Sequence, residues 1–530
     1  MLTASRRVLE SCLILLLISL GTFFFRLGAL PFVGADEPRY ARIAQEMQEA
    51  GRWVTPTLEH RPWLEKPPLY YWITIPFYSA FGVSETTARI GTAVFALIMT
   101  GSVFWLGIHL WGRRAGFYSA AALMTSMGVV AYGRSASTDM PLTACLTGTL
   151  AILCSSIRES RMVAWKVFAG YAALGLAILG KGPVALLLAG GVAIAFWCLD
   201  EQGGSMRRWR VVAGLLITAA VALPWFWLAF RENGFAFIAI FLLNHNIARF
   251  VSDIHHHTEP FYYFLPILPG LMFPWCAWLI LLIPDSLRRW REWDRETLFL
   301  ACWVLVPLIF FSASKSKLPG YVLPCMPPAA LLLGARISRW VEQSQRPKWH
   351  GTAACVHLAL AAIIALAFPM VMKKYYGGGV AGALLVSALC VLPAYGAFRF
   401  LRSGRPAGAF AVTAAQGVLL VLALSQVAFP AIGRYASAKE IAQQMSAVRD
   451  AGEPAVTFRF FHHALHYYTG YAVTEDFVDI LALDDFARSH PVFLVVVEDE
   501  HLPELSGLRD FSITNLGSQG KLRLVRLTQK

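Results

Sequence analysis

Two short stretches carry the residue types that could do chemistry. D-E-P-R-Y, Asp36 to Tyr40, brings together two carboxylates, the Arg39 guanidinium and a phenol, and L-E-K-P-P-L-Y-Y-W, Leu64 to Trp72, adds Glu65 and Lys66. Carboxylates beside Lys and Arg can manage group transfer from a phosphate. A departing phosphate needs cations and hydrogen-bond donors, not a protonating acid. One carboxylate can then orient or deprotonate the acceptor on the opposite side of the transferred group. Glycoside hydrolysis differs, because a second carboxyl protonates the leaving oxygen there. An acceptor that is itself a phosphate has a second pKa of about 6, so near neutral pH the carboxylate would position it more than deprotonate it.

Each of these residues has an ordinary structural alternative. Acids before a helix that opens with Pro38 are common N-caps, and an interfacial Lys commonly snorkels. Company argues for chemistry: Arg39 and Tyr40 follow Glu37 at once, and Pro67-Pro68 fixes the backbone beside Lys66. Further candidates are Asp139 after R-S-A-S-T, Lys181 between Gly180 and Gly182, His245 and Arg249 at i, i+4 spacing, and Lys317 and Tyr321 in S-K-S-K-L-P-G-Y. For Asp139 the alternative is an N-cap or first-turn acid; for Lys181 it is a simple hairpin Lys. The tract His255-His256-His257 lacks the spaced partners of a zinc pattern. His462, His463 and His466 read as surface residues. Trp225, Trp227, Trp275 and Trp278 read as interface belts. No Walker A loop, dinucleotide-binding glycine fingerprint or G-x-S-x-G is present, which argues against ATP-driven transport, nicotinamide chemistry and an ordinary serine hydrolase.

The elements that must position these residues lie in a membrane. Of 530 residues, 57% are hydrophobic and only 15% charged, more apolar surface than a water-soluble fold could hide. Thirteen spanning helices are expected, near 8–30, 86–111, 115–133, 139–157, 163–180, 182–199, 211–230, 261–283, 297–313, 320–340, 351–372, 379–398 and 407–430. The first run is read as a retained span, not a signal peptide. Leu69–Phe81 is short and aromatic, contains Pro76, and suits an interfacial or re-entrant segment. With that segment not crossing, Arg113-Arg114, Arg158/Arg161, Arg207/Arg208/Arg210, Arg288/Arg289/Arg291, Arg336/Arg339 and Arg399/Arg402/Arg405 all fall on the cytoplasmic side, as the positive-inside rule requires. The net charge of +13 therefore needs no nucleic acid and suits anionic lipids. The same topology puts every candidate residue on the opposite face. The middles of the spans are almost free of charge, which makes an ion or lipid carrier the weaker alternative. Asp36 to Gly51 has helical period, with Tyr40, Ile43, Ala44 and Met47 on one face and Arg42, Gln45, Glu46 and Glu49 opposite, an amphipathic helix expected on the membrane surface within the outside loop 31–85. The nine Cys fall in or beside apolar runs, and no disulfide framework is expected. Residues 431–530 read as a small soluble α/β domain, with helices at Ser437–Arg449 and around Asp484–Arg488 and strands at Ala455–Phe460, Val492–Val497 and Leu522–Leu527.

With D-E-P-R-Y, E-K-P-P-L-Y-Y-W, R-S-A-S-T-D, G-K-G-P, H-N-I-A-R-F and S-K-S-K-L-P-G-Y in this order over about the first 320 residues, the chain resembles the GT-C membrane glycosyltransferases. Within them it is most similar to the bacterial lipid A aminoarabinose transferases, relatives of the protein O-mannosyltransferases. The resemblance implies a GT-C transmembrane domain over 1–430, with a periplasmic α/β domain over 431–530, in the inner membrane with the active site facing the periplasm. It implies an inverting transfer of 4-amino-4-deoxy-L-arabinose from undecaprenyl phosphate to a lipid A phosphate, which would lower affinity for cationic antimicrobial peptides. A related transferase acting on another lipopolysaccharide, glycan or protein acceptor is the near alternative. Asp36 and Asp139 match catalytic acids, and Lys66, Arg249, Arg39 and Tyr321 match the grip on the donor phosphate. Glu37, Tyr40, Glu65, Lys181, His245 and Lys317 are expected in the substrate cavity. A divalent ion is suggested near Glu65 and His245 in some members; no cofactor or metal is assigned.

Overall fold

The computed structural model describes residues 2–201, 209–248, 259–282, 293–343, 347, 349–376 and 379–530. Each of the thirteen segments expected to span contains helix. By length and composition alone, eight helices among the described residues suffice to cross a membrane, or up to ten if each of two bent pairs is one span. Those pairs, Arg113–Met124 with Met127–Gly133 and Phe264–Leu271 with Cys276–Leu282, bend by 64° and 108°. Asp139–Ser155 and Val184–Leu199 have 17 and 16 residues. At about 1.5 Å per residue they reach roughly 24–26 Å, short of a bilayer core of about 30 Å.

Leu69–Phe81 is a 13-residue helix with Pro76 inside it. It packs between the helices Asp36–Ala50 and Glu85–Trp111. The Asp36–Ala50 helix ends as its sequence dictates: Gly51 takes φ 63°, and its N–H returns to the carbonyls of Met47 and Gln48. Its apolar face covers protein instead of lipid. Tyr40, Ile43, Ala44 and Met47 cluster with Tyr70, Tyr71, Tyr78, Ala136 and Ala464. Glu46, expected on the polar face, is buried. Its carboxylate accepts from the backbone N–H groups of Glu59 (2.9 Å) and His60 (3.1 Å) and from Arg42 Nε (3.1 Å). Glu59 and His60 both have positive φ, the turn of the hairpin pairing Thr57–Leu58 with Arg61–Pro62. A buried carboxylate is tolerable where it meets such donors.

The tryptophans also depart from the expected belts. Trp225, Trp275 and Trp278 are buried, and only Trp227 of the four is exposed. Trp275 Nε1 reaches Thr125 Oγ1 at 2.9 Å and Trp225 Nε1 reaches the Val54 carbonyl at 2.9 Å, so these rings have interior hydrogen-bond partners.

Helix continues past the expected boundary at 431 to Ala436. Beyond it, Lys439–Val448 and Ile480–Ser489 are helices, and a five-stranded mixed sheet forms. Ala455–Phe458 lies parallel to both Val473–Phe477 and Val492–Glu498. Leu522–Gln529 pairs antiparallel with Val492–Glu498 and with Phe511–Gln519. The strands Val473–Phe477 and Phe511–Gln519 were not expected, because mostly exposed side chains on these edge strands erase the hydrophobic alternation. Tyr468 Oη bridges the two parts of the molecule, donating to Glu85 Oε1 (2.8 Å) and accepting from the Phe32 N–H (2.8 Å).

Candidate active site

Six separate stretches meet at one cleft of about 530 Å³, lined among others by Asp36, Glu37, Arg39, Tyr40, Glu65, Lys66, Thr138, Asp139, Lys181, His245, Leu318 and Tyr321. Asp36 and Asp139 each occupy the first turn of a helix, and neither caps it through its side chain. Their charges suit the positive helix ends while the carboxylates stay available to the cleft. Lys181 closes the helix Ala164–Lys181, and its glycines explain its position. Gly182 has φ 88° and ends the helix; a Cβ on Gly180 would lie 3.2 Å from Leu142 N in the Asp139 helix. Small residues here let the two helices approach until Lys181 Nζ meets Asp139 Oδ1. Lys181 Nζ also lies 4.8 Å from the centroid of the Tyr321 ring, a cation–π contact that fixes the phenol beside the acid.

Arg39 binds Asp36 Oδ1 and donates to the Ala35 carbonyl at 3.0 Å, with its guanidinium over the Trp63 ring at 5.4 Å. The Asp36 side chain keeps 56% of its exposure, so Arg39 orients it without sealing it. Glu65 and His245 approach to 3.5 Å. Burial, followed by the Asp36 charge, holds the Tyr40 phenol well above its ordinary pKa, so it faces the cleft as a neutral hydroxyl. Glu37 behaves unlike its neighbour. Both oxygens are taken by Arg89, at 2.9 and 2.8 Å, and Oε1 also accepts from the Ala136 N–H at 2.8 Å.

Ten of the twelve residues expected from sequence thus line one cleft. Lys317 is elsewhere: it is buried, with Nζ donating to the carbonyls of Glu259 (2.9 Å) and Ser314. Arg249 lies outside the described residues, as does His255-His256-His257. Residues 238–248, between the expected spans 211–230 and 261–283, form a π-helix that carries His245; the apolar run before Asn244 was the signal for it. No group of three or more His, Cys, Asp or Glu among the described residues is placed to hold a metal ion. A Glu65–His245 pair by itself is too small a donor set for a closed metal site.

Two contributions escaped the sequence reading. Arg89 sits inside an apolar helix and is 2% exposed; besides Glu37 it donates to the carbonyls of Leu27 (3.1 Å) and Leu30 (2.6 Å). An arginine in an apolar span was the available signal. The tail also reaches the site's wall: the helix His463–Tyr468 packs on the Asp36 helix, with Arg42 over the Tyr471 ring at 5.1 Å. His466 is buried, contrary to the surface reading, and approaches Asp476 to 3.4 Å. Burial, then the charge of Arg39, lowers the His463 pKa to about 4.

Residues 65–227 match the family described as dolichyl-phosphate-mannose-protein mannosyltransferase. The undecaprenyl phosphate-alpha-4-amino-4-deoxy-L-arabinose arabinosyl transferase 1 of Pseudomonas fluorescens (strain Pf0-1) is 30% identical over 418 residues, 75% of this chain and 69% of that protein. The corresponding transferase of Pectobacterium carotovorum subsp. carotovorum (strain PC1) is 30% identical over 397 residues, 72% of this chain and 69% of that one. Among solved structures, ArnT from Cupriavidus metallidurans bound to undecaprenyl phosphate superposes with a TM-score of 0.81 at 24% identity, covering 97% of each chain. The archaeal oligosaccharyltransferase AglB from Archaeoglobus fulgidus gives 0.51 at 11% identity, over 93% of this chain and 69% of that one.

Proposed function

The chain belongs to the family of undecaprenyl phosphate-alpha-4-amino-4-deoxy-L-arabinose arabinosyl transferases, and from that premise we propose that it moves 4-amino-4-deoxy-L-arabinose from undecaprenyl phosphate to a phosphate of lipid A. It is a multi-pass inner-membrane protein, with the cleft open to the periplasm. The observation that carries the reading is the convergence of acids and cations from four distant stretches on one cleft.

In the proposed step an acceptor phosphate oxygen attacks the anomeric carbon from the face opposite the donor. The new carbon–oxygen bond forms as the bond to the donor phosphate breaks, and undecaprenyl phosphate leaves with the electron pair. Lys66, Arg39, Tyr321 and Arg249 stabilise the charge that grows on this leaving group, where fixed donors act most strongly. Asp36 faces the acceptor. It takes the proton of a monoanionic phosphate and positions a dianionic one. Asp139 holds Lys181, and Lys181 holds the Tyr321 ring, so this acid acts on the donor side by keeping a cation and a phenol in place. Adding the amino sugar puts a positive charge on an anionic lipid.

Reconstituting the full chain in vesicles with defined polyprenyl-linked sugars and lipid A tests the reading. Mass analysis should show lipid A gaining one aminoarabinose unit. Transfer of another sugar, or to another acceptor, would remove the specific assignment; vesicles that bind donor and yield no product would remove the enzyme.

A further inference from the structure

The tail grips the segment that leads into Asp36. Phe32, just before that acid in the chain, is fully buried. Its ring meets the Tyr467 ring edge-on at 5.0 Å and stacks with the Tyr468 ring at 6.1 Å, and the Arg89 guanidinium lies over it at 5.1 Å. Its N–H has no backbone acceptor among the described residues and donates to Tyr468 Oη at 2.8 Å. Burial, then the Glu85 charge, holds the Tyr468 phenol far above its ordinary pKa, so the hydroxyl keeps its proton and donates it to Glu85 Oε1 at 2.8 Å. The same oxygen accepts from Lys439 Nζ, also of the tail, which lies 5.5 Å from the Tyr468 ring centroid.

These contacts bracket the acid. Glu85 opens the helix Glu85–Trp111, and one turn on Arg89 takes both oxygens of Glu37. Beyond Asp36, the tail residue Ala464 is buried in the cluster that holds Tyr40 and Ile43. Between Phe32 and Asp36 runs Val33-Gly34-Ala35, which lines the cleft. Gly34 has φ 70° and nothing within 4 Å of where a Cβ would stand. An open glycine in this conformation does not stiffen its neighbours, so the stretch takes its place from its two ends.

We propose that Tyr468 is a positioning residue for the transfer: by fixing Phe32 it fixes the backbone that carries Asp36 into the cleft. The proposal rests on the transferase reading, in which Asp36 faces the acceptor.

The full chain in lipid nanodiscs tests it. Tyr468→Phe removes both hydrogen bonds and keeps the ring stacking. Amide exchange across residues 31–40 should rise about tenfold, what losing one or two modest hydrogen bonds amounts to, while exchange in Asp139–Ser155 holds. With undecaprenyl-linked aminoarabinose and lipid A, kcat should fall about tenfold at an unchanged KM for the donor. On the Asp36→Asn background the same substitution should cost no further turnover, because it acts through that acid. Arg526→Gln separates positioning from tail stability. It breaks the pair with Glu453 inside the tail, so it should lower the melting temperature and leave kcat and exchange at 31–40 alone. Unchanged exchange at 31–40 in Tyr468→Phe would overturn the proposal whether or not the chain turns over. So would an equal further loss on the Asp36→Asn background, or an equal loss of kcat in Arg526→Gln. Failure of the transferase reading would appear separately, as an unaltered chain that yields no product.

Discussion

The two ends of the helix bundle handle charge in opposite ways. At the end away from the cleft, Arg158 embraces Glu296 through two hydrogen bonds of 2.6 and 2.9 Å, and Arg295 embraces Asp200 through two of 3.0 and 2.6 Å. At the cleft, Arg39 touches one oxygen of Asp36 and Lys181 one oxygen of Asp139. The same helices run between these ends: Asp139–Ser155 leads from the cleft toward Arg158, and Arg295–Ala313 leads back toward Tyr321. Bidentate pairs saturate the carboxylate and fix an anchor. Single contacts orient an acid and leave an oxygen for substrate. The contrast recurs between neighbours in sequence, for Glu37 is saturated by Arg89 and the Ala136 N–H while Asp36 stays half-exposed.

The sharpest way to break this comparison is Asp36→Asn. Turnover should fall by about 10²–10⁴, the usual worth of a positioned acid–base group, with donor binding and melting temperature unchanged. Wild-type turnover would put Asp36 among the anchors. Arg89→Ala should do the reverse in kind. It leaves Glu37 buried without its cation, a loss of about 3–5 kcal/mol, visible as a lower melting temperature together with lost transfer. Arg158→Ala tests the far end, where the arginine is 75% exposed. Thermal melts should lose about 1 kcal/mol, and turnover per folded molecule should hold. The smallest effect concerns pH. His463, facing Arg39, His466, His462 and Asp36, has a folded-state pKa of about 4, below the ordinary 6.5. Unfolded chains therefore bind more protons between these values. Stability present above about pH 6.5 should decline as pH falls toward 4, and His463→Gln should flatten that slope in thermal melts.

Much of the site was legible because its residues stand out against an apolar background. Charges beside spans, Gly-Lys-Gly and Pro-Pro have few ordinary explanations when they recur at one face, and the positive-inside pattern assigned that face. Other features were not legible. Glu46 looks like a solvent-facing residue by helical period, yet the hairpin turn at Glu59 and His60 folds over it and supplies its donors. Trp275 and Trp278 look like interface residues until the bent segments around them place both rings in the interior. Lys317 shares a motif with Tyr321 but turns to backbone carbonyls.

Sequence alone determined that this chain carries apolar helices long enough for a bilayer and where most of them lie, because hydrophobic length is a local property that the membrane reads directly. Tertiary structure alone decided which of two adjacent carboxylates is consumed. Glu37 meets an arginine from residue 89 and an amide from residue 136, and saturation depends on partners brought from far along the chain, which no local pattern encodes.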